Sequence, residues 1–479
     1  MLKILMVASE ASPFAKTGGL ADVLGSLPSA LMKQGADVRV ILPKYGSIPE
    51  KLQDEIVHDC YIYVKVGWRN LYCGIERLEY QGVTFYFIDH EYYFKRDQLY
   101  GYGDDGERFA FFCRAVIDAI PYLDFTPDIL HCHDWQTGMI PVLLEAQYRQ
   151  YETYKDISTI FTIHNLRYQG CYGIEEMKEW FGLGEDFFTA DKLELYGAGS
   201  FLKGGLVYSH ILTTVSKTYA EEIKYPFFGE RLEGLLNARK NDLHGIINGI
   251  DYEEYDPKKD KLIYRTFSKS NLSGKAANKL LLQQELNLTA AEDIPMIGVI
   301  SRLVDQKGFD LVACVFDEIM SEEVQLVILG TGDPGYERLF SEAVNRYPGR
   351  VSANIRFDNV LAHKIYAAAD LFLMPSLFEP CGLGQLISLR YGTLPIVRET
   401  GGLKDTVISY NEETGEGNGF SFSNYNAHDM LHTIRRALSI YKRRTLLGKL
   451  RKAAMTCNFS WQNSAGQYLE LYRTLKPEY

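Results

Sequence analysis

Residues 2–42 read LKILMVASEASPFAKTGGLADVLGSLPSALMKQGADVRVIL. Residues 2–7 form a short apolar run that is typical of a strand, and residues 38–42 form another. Between them, from Leu20 to Lys33, apolar residues recur at the spacing of one helix face. A strand, a helix and a second strand in this order predict a βαβ unit with parallel strands.

The same alternation continues along the chain and predicts two domains. Further strands are expected at 83–88, 129–132, 159–163 and 211–215, and then at 296–301, 324–329, 371–374 and 394–397. Helices are expected at 309–319, from about Gly384, and at 460–475. A polar, charged stretch at 251–292 separates the halves. We therefore expect two doubly wound α/β domains whose ligand-binding strand ends face a deep cleft between them.

Composition excludes several classes of protein. The 479 residues are 46% hydrophobic and 24% charged, which excludes a disordered, collagenous or coiled-coil chain. A formal net charge of −11 disfavours nucleic acid as a partner. The eight cysteines include no C-x-x-C pair and indicate reduced thiols. No apolar run has signal-peptide or membrane-spanning length, so we expect a cytoplasmic protein without membrane contact.

The first unusual loop is Lys16-Thr17-Gly18-Gly19-Leu20, between the first strand and its helix. Two glycines allow a ligand to approach the backbone, the helix N-terminus offers free N–H groups, and Lys16 adds positive charge. This combination suits a phosphate, although a plain glycine-rich turn would look the same. The loop is neither G-x-G-x-x-G nor a Walker A motif, which argues against NAD binding and ATPase chemistry.

The second half has two candidate loops, each just after a predicted strand. The loop at 301–308 carries Arg302 and Lys307, a pair of cations that could clamp a diphosphate or could simply be a solvated basic turn. The loop at 378–384 places Glu379 before a helix, where it could hold sugar hydroxyls or only cap the helix. Cys381 fits a small residue under a turn better than a nucleophile.

Polar residues also end two strands of the first half. One strand ends in His131-Cys132-His133-Asp134-Trp135, and another in His164-Asn165. Residues i and i+2 share one strand face, so His131 and His133 could bind a metal, but no third ligand is evident. Recognition of hydroxyl groups fits better, with Trp135 as a stacking platform. The alternative for His164 and Asn165 is a hydrogen-bonded strand end.

With these loops the sequence resembles the family of bacterial glycogen synthases and plant starch synthases. The resemblance covers the whole chain in family order, through residues 16–20, 131–135, 161–165, 247–251, 301–308, 330–333, 375–383 and 391–407. It implies the GT-B fold, with domains at 1–245 and 246–456 and a C-terminal helix at 457–479 that returns to the first domain. It also implies a retaining transfer of glucose from ADP-glucose to the 4-hydroxyl at the non-reducing end of an α-1,4-glucan such as glycogen.

The resemblance implies roles for individual residues. The catalytic residues are Glu379, His164, Arg302 and Lys307. The donor contacts are Lys16, Gly18, Gly19, Asp22, Asn248, Gly332, Phe357, Cys381, Gly382 and Leu383. The glucose or acceptor contacts are Asp134, Trp135 and Asn165. No metal or other cofactor is expected, because the two cations can neutralise the leaving group.

One position departs from the pattern of many retaining enzymes of this fold, which carry two glutamates eight positions apart. Here Ile387 stands eight positions after Glu379. The branch that this sequence resembles usually lacks the second glutamate as well. Two alternatives stay open at this point: a related transferase that uses UDP-glucose or a small acceptor, and a non-catalytic module that binds glucan or nucleotide. A homo-oligomer is also left open.

Overall fold

The computed structural model describes all 479 residues. The chain divides into two compact units: Met1–Gly249 together with Trp461–Tyr479, and Ile250–Ser460. The boundaries expected at 245/246 and 456/457 fall four residues before these divisions.

The strands are, in chain order, β1 (Lys3–Val7), β2 (Asp37–Pro43), β3 (Val57–Val66), β4 (Arg69–Tyr80), β5 (Val83–Asp89), β6 (Ile129–His133), β7 (Ser158–Ile163), β8 (Cys171–Tyr172), β9 (Glu194–Leu195), β10 (Ala198–Ser200), β11 (Ile211–Thr214), β12 (Leu243–Gly245), β13 (Met296–Ile300), β14 (Gln325–Leu329), β15 (Val351–Asn354), β16 (Leu371–Met374), β17 (Leu394–Arg398) and β18 (Phe420–Phe422).

The α-helices are, in chain order, α1 (Gly19–Met32), α2 (Glu50–Gln53), α3 (Glu91–Phe94), α4 (Asp105–Ala119), α5 (Met139–Leu143), α6 (Ile174–Phe181), α7 (Phe201–Tyr208), α8 (Lys217–Glu222), α9 (Glu233–Ala238), α10 (Ser273–Glu285), α11 (Phe309–Cys314), α12 (Phe316–Ser321), α13 (Pro334–Arg346), α14 (Asn359–Ala368), α15 (Gly384–Arg390), α16 (Gly401–Thr406), α17 (Ala427–Tyr441), α18 (Arg444–Ala454) and α19 (Trp461–Leu475).

The first unit is built on a nine-stranded sheet in the order β12-β11-β7-β6-β1-β2-β5-β4-β3. The seven strands from β12 to β5 are parallel, and β4 and β3 form an antiparallel edge. The central strands are buried on both faces, which is why they read as continuous apolar runs. Chain order reverses between β1 and β6, and such a switch point is where ligands bind in doubly wound sheets.

The last helix packs on the first unit. Trp461, Ala465 and Tyr468 of α19 share an apolar cluster with Leu24 and Leu27 of α1. The chain therefore leaves the first unit at Gly249 and re-enters it at Trp461.

The second unit has a six-stranded, fully parallel sheet in the order β15-β14-β13-β16-β17-β18. Its chain order reverses between β13 and β16. The two loops that carry Arg302, Lys307 and Glu379 follow these two strands, so they lie at the switch point of this sheet.

Two local expectations were wrong. The helix expected at 309–319 is two helices, α11 and α12, because Val315 has φ −120° and ψ 27° and leaves the helical conformation. The charged stretch at 251–292 contains α10, whose Lys275 and Lys279 are buried. Lys279 pairs with the buried Asp370 at 2.7 Å, so the charge at this position belongs to a paired group in the core of the second unit. No helix in the structure is both long and apolar enough to cross a bilayer.

Candidate functional site

Glu10 organises the glycine-rich loop that follows β1. Its buried carboxylate accepts hydrogen bonds from the backbone N–H and the hydroxyl of Thr17, both at 2.6 Å, and from the N–H of Gly18 at 3.3 Å. The hydroxyl of Tyr100 donates to the same carboxylate at 2.8 Å. The sequence prediction missed Glu10, although an acid between a strand and a Gly-Gly turn is the signal that could have found it.

The loop held by Glu10 presents open backbone to solvent. Gly18 and Gly19 are exposed at the start of α1, and a side chain at Gly18 would meet no atom within 4 Å. The ammonium of Lys16 lies 2.5 Å from the carboxylate of Asp22 in the first turn of α1. Three predicted donor contacts thus lie together with Asp22, in a place where an anion can reach both a cation and free N–H groups.

Asp134 and His164 meet where β6 and β7 end. The carboxylate of Asp134 accepts a hydrogen bond from the backbone N–H of His164 at 2.7 Å. Asp134 has a positive φ of 57°, an uncommon conformation for a residue with a side chain. Burial, together with the nearby charge of Glu10, raises the pKa of Asp134 to about 7, against the hydrogen bonds from His164 and Asn165. Burial lowers the pKa of His164 to about 3, so its ring is neutral at pH 7.

His131 and His133 are both buried, and three of their four ring nitrogens contact other side chains. The ring nitrogens of His131 contact the hydroxyls of Tyr472 at 2.8 Å and Thr162 at 2.6 Å. Nδ1 of His133 lies 3.0 Å from Nε2 of His164. Across the whole chain, no group of three or more His, Cys, Asp or Glu side chains is arranged to hold a metal ion.

Trp135 lies among other aromatic side chains. Its ring contacts Phe109, Phe201 and Tyr172 at centroid distances of 5.2, 5.9 and 6.0 Å. A side chain at Gly170 would come within 2.3 Å of the indole. The structure thus gives Trp135 a packing role, and its service as a stacking platform stays a prediction.

Two asparagines complete the predicted set of the first unit. Asn165 is half-buried directly after His164, and its side chain accepts from the N–H of Arg167 at 3.1 Å. Asn248 is only 4% exposed, and its side-chain oxygen has no hydrogen-bond partner. A buried acceptor without a partner is costly, which favours a ligand donor or water at this position.

In the second unit, the loops after β13 and β16 touch each other. The ammonium of Lys307 lies 2.5 Å from the carboxylate of Glu379, and the hydroxyl of Ser376 donates to the same carboxylate at 3.2 Å. The backbone N–H of Leu377 donates to the carbonyl of Gln306 at 2.9 Å. Gly308 makes this approach feasible, since it has φ +76° and a side chain there would come within 2.1 Å of the Pro375 carbonyl.

Arg302 differs from Lys307 in its surroundings. Its side chain is exposed, and its guanidinium has no hydrogen-bond or ion-pair partner in the protein. Lys307 is largely buried, with 17% of its side chain exposed. The loop therefore offers one free cation and one that already neutralises Glu379.

Backbone contacts fix the loop around Glu379. The N–H of Gly402 donates to the carbonyl of Glu379 at 3.1 Å, and a side chain at Gly402 would come within 2.1 Å of the Cys381 carbonyl. Cys381 is buried, while Gly382 and Leu383 are half-buried just before α15. The burial of Cys381 agrees with packing under the turn.

The two remaining donor candidates follow two neighbouring strands, β14 and β15. Gly332 follows β14, is exposed, and donates its N–H to Glu337 at 2.8 Å. Phe357 follows β15 and is 86% exposed, so its ring is available to a flat ligand. No direct contact joins either residue to Lys307 or Glu379.

Comparisons with known proteins identify the family of this chain. A family model described as the starch synthase catalytic domain matches residues 3–238, and one described as glycosyl transferases group 1 matches residues 284–453. A glycogen synthase from Clostridium acetobutylicum is 56% identical over 476 residues, which is 99% of this chain and 100% of the relative. Glycogen synthases from Anoxybacillus flavithermus and Geobacillus stearothermophilus are each 54% identical over 99% of this chain and 98% of theirs.

The chain belongs to the glycogen synthase family.

Similar solved structures identify the fold of this member of the glycogen synthase family. The catalytic domain of starch synthase IV from Arabidopsis thaliana, bound to ADP and acarbose, matches with a TM-score of 0.92 and 34% identity over 99% of both chains. A sucrose-phosphate synthase from Thermosynechococcus elongatus, at 18% identity and a TM-score of 0.62 over 100% of both chains, shows the fold alone. The chain has the GT-B fold with two Rossmann-like domains, and it is a glucosyltransferase of glycogen synthesis.

Proposed function

We propose that this enzyme transfers glucose from ADP-glucose to the 4-hydroxyl at the non-reducing end of an α-1,4-glucan, with retention, and releases ADP. The observation that carries the proposal is the contact of Lys307 with Glu379 at the switch point of the second sheet, beside the unpartnered Arg302. Two cations can bind a diphosphate, and a carboxylate beside them can accept hydrogen bonds from sugar hydroxyls. The related starch synthase domain is bound to ADP, which supports a nucleoside diphosphate as the leaving group.

Each predicted residue has a task in this reaction. Arg302 and Lys307 hold the diphosphate and take up its charge as the bond to glucose breaks. Glu379 and the backbone at 381–383 hold the glucose and the distal phosphate. Lys16, Gly18 and Gly19 contact the donor from the first unit, and Asp22 and Asn248 support them. Phe357 and Gly332 contact the nucleoside side, while His164, Asn165, Asp134 and Trp135 meet glucose or acceptor.

The proposed mechanism is a displacement on one face of the sugar. Retaining glycoside hydrolases commonly use two carboxylates about 5 Å apart, one of them as a nucleophile. Glu379 is the only carboxylate proposed at the reacting carbon, so the acceptor hydroxyl attacks as the phosphate leaves. The departing phosphate oxygen takes the proton of that hydroxyl. The positive charge that develops on the sugar is steadied by Glu379 and by a backbone carbonyl near His164.

The proposal extends to conditions and partners. Arg302 and Lys307 supply the charge that a metal ion would otherwise supply, so the reaction needs no metal or other cofactor. The substrates are ADP-glucose and a glycogen or glucan primer. All eight cysteines are unpaired thiols, which suits the reducing cytoplasm.

The test is a donor comparison with purified protein. Glycogen is incubated with ADP-glucose or UDP-glucose in the presence of EDTA, and nucleoside diphosphate release and glucan length are followed. Fast release of ADP with a lengthened glucan is the expected result. Release from UDP-glucose alone would overturn the donor assignment, and release from neither would leave only a binding module.

A variant tests the role of Glu379. Glu379→Gln keeps the shape of the side chain but removes the charge that faces Lys307, and kcat should fall by roughly 10²-fold, the scale for one preorganised charge partner. The matched control is Glu399→Gln in the same unit, whose carboxylate accepts from Ser421 and Ser423. Near-normal kcat in Glu379→Gln would contradict the glucose contact.

A further inference from the structure

Three histidines form a row in the first unit, and the proposed reaction uses only the last of them. The rings of His131 and His133 lie 4.1 Å apart between centroids, and both side chains are fully buried. Nδ1 of His133 then lies 3.0 Å from Nε2 of His164, which is only half-buried. At the other end of the row, Nδ1 of His131 lies 2.8 Å from the hydroxyl of Tyr472 on α19.

The contact between His133 and His164 leaves two arrangements of protons. Burial lowers the pKa of all three histidines, so each ring is neutral at pH 7 and carries one N–H. Either Nδ1–H of His133 donates to Nε2 of His164, or Nε2–H of His164 donates to Nδ1 of His133. The two arrangements place the proton of His164 on opposite nitrogens.

The other nitrogen of His133 favours one arrangement. Nε2 of His133 is buried and has no hydrogen-bond partner. If His164 donated, this nitrogen would carry an unsatisfied N–H, and buried N–H groups without a partner are rarer than acceptors without one. If His133 donates through Nδ1, the same nitrogen keeps only a lone pair. The proton of His164 then lies on its Nδ1, which has no partner in the protein.

We infer that His133 is a positioning residue that holds the ring of His164 in the Nδ1–H form, so that His164 presents a neutral hydrogen-bond donor to a sugar oxygen. The inference rests on the proposed function for the identity of that oxygen. A neutral donor suits a reacting sugar, because it binds a hydroxyl without placing a cation beside a carbon that becomes positive. His133 thus serves to orient the ring of His164.

Two substitutions at His133 test the inference by activity. His133→Phe keeps a ring but cannot donate, so kcat should fall about 10- to 100-fold, as for a lost hydrogen bond to a buried polar group. The KM for ADP-glucose should change by less than about threefold. His133→Asn carries an amide N–H near the position of Nδ1 and should recover part of kcat.

The control is His131→Gln, since His131 is equally buried in the row but contacts Tyr472 and Thr162 and not His164. Its kcat should stay near that of the wild type. Equal losses in His131→Gln and His133→Phe would show a structural effect and overturn the inference, and so would a normal kcat in His133→Phe.

A spectroscopic measurement on the wild type decides the question without a variant at His133 and without activity. The protein is labelled with ¹⁵N-histidine, and the signals of His164 are assigned by their loss in His164→Ala. We expect a protonated Nδ1 and an unprotonated Nε2 on His164, and the reverse would overturn the inference. Failure of the proposed function would appear separately, as wild-type protein that transfers no glucose.

Discussion

The two units place their candidate residues at the same topological position but surround them with different chemistry. At the switch point of the first sheet lie the buried carboxylate of Glu10, the half-buried Asp134 and the neutral rings of His133 and His164. At the switch point of the second, Lys307 pairs with Glu379, and Arg302 has no partner. The first set consists mainly of acidic and neutral groups, and the nearby Lys16 pairs with Asp22, whereas the second set concentrates positive charge.

Under the proposed function, the two sets of residues have different tasks. Hydroxyl groups of a sugar are recognised by donors and acceptors of fixed geometry, and a hydrogen bond from the N–H of His164 fixes Asp134. A diphosphate is bound well by the planar donor groups of an arginine side chain. Under the proposed function, Arg302, Lys307 and Glu379 of the second unit hold the diphosphate and the glucose of the donor, while Asp134 and His164 of the first unit meet hydroxyls of glucose or acceptor, and the predictions below test this division.

The largest effect is expected from the cations of the second unit. Arg302→Ala or Lys307→Ala should lower kcat by roughly 10²- to 10³-fold, because each removes a preorganised charge from the leaving diphosphate. The measurement is the steady-state rate of ADP release with saturating ADP-glucose and glycogen.

The control for this prediction is Arg435→Ala, which removes a surface cation of the same unit that pairs with Glu322 at 2.7 Å. Its kcat should be unchanged. Near-normal kcat in Arg302→Ala or Lys307→Ala would contradict the assignment of the diphosphate to these residues of the second unit.

Much of the fold could be predicted from the sequence, for a physical reason. Parallel strands covered on both faces are continuous apolar runs, so β1, β6 and β13 were expected within two residues of their observed bounds. The antiparallel pair β3 and β4 was missed, because Tyr61 and Tyr63 alternate with buried residues and break the run. The helix α10 was missed because its buried lysines look like surface charge.

The candidate site could be predicted only where the residue type by itself indicates the chemistry. Arg302, Lys307 and Glu379 follow strands in sequence, and the structure brings the last two into contact. Glu10 has a local signal because it holds Thr17 and Gly18 of the next loop, but its contact with Tyr100 and the contact of His133 with His164 join distant parts of the chain. Such contacts depend on tertiary structure and leave no spacing in the sequence.

The second prediction concerns the half-buried carboxylate of Asp134 in the first unit. The pKa of Asp134 is about 7 in the folded protein, against about 3.9 in an unfolded chain. Between these values the folded state keeps a proton that the unfolded state has lost, so the contribution of Asp134 to stability falls as the pH rises from about 4 to 7. The variant Asp134→Asn lacks this loss. The free energy of unfolding of the variant minus that of the wild type should therefore be about 1–3 kcal/mol larger at pH 8 than at pH 4.5.

The measurement is chemical unfolding of both proteins at the two pH values. Asn can still accept the N–H of His164, which keeps the loop intact. The control is Asp97→Asn, an exposed position of the same unit. An identical stability difference at both pH values would contradict a raised pKa at Asp134.

The third prediction addresses the loop that Glu10 holds. Glu10→Gln leaves one acceptor oxygen for donors from Thr17, Gly18 and Tyr100, so at least one of them loses its partner. The KM for ADP-glucose should rise about tenfold, the scale of one lost hydrogen bond to a charged group, while kcat changes less. Steady-state kinetics with varied donor check this, with the exposed Glu50→Gln as control. An unchanged KM would mean that the loop does not contact the donor.

The smallest effect is expected at Phe357, and it sharpens the contrast between the aromatic candidates of the two units. Trp135 is packed among Phe109, Tyr172 and Phe201, whereas Phe357 is 86% exposed and contributes little to the core. A stacking contact is worth about 0.5–1.5 kcal/mol, so Phe357→Ala should raise the KM for ADP-glucose about 3- to 10-fold and leave thermal stability unchanged. Phe357→Tyr should keep the donor KM, because it keeps the ring. If Phe357→Ala changes neither KM nor the preference for ADP-glucose over UDP-glucose, the base is recognised elsewhere, and the second unit would bind the donor through its diphosphate and glucose alone.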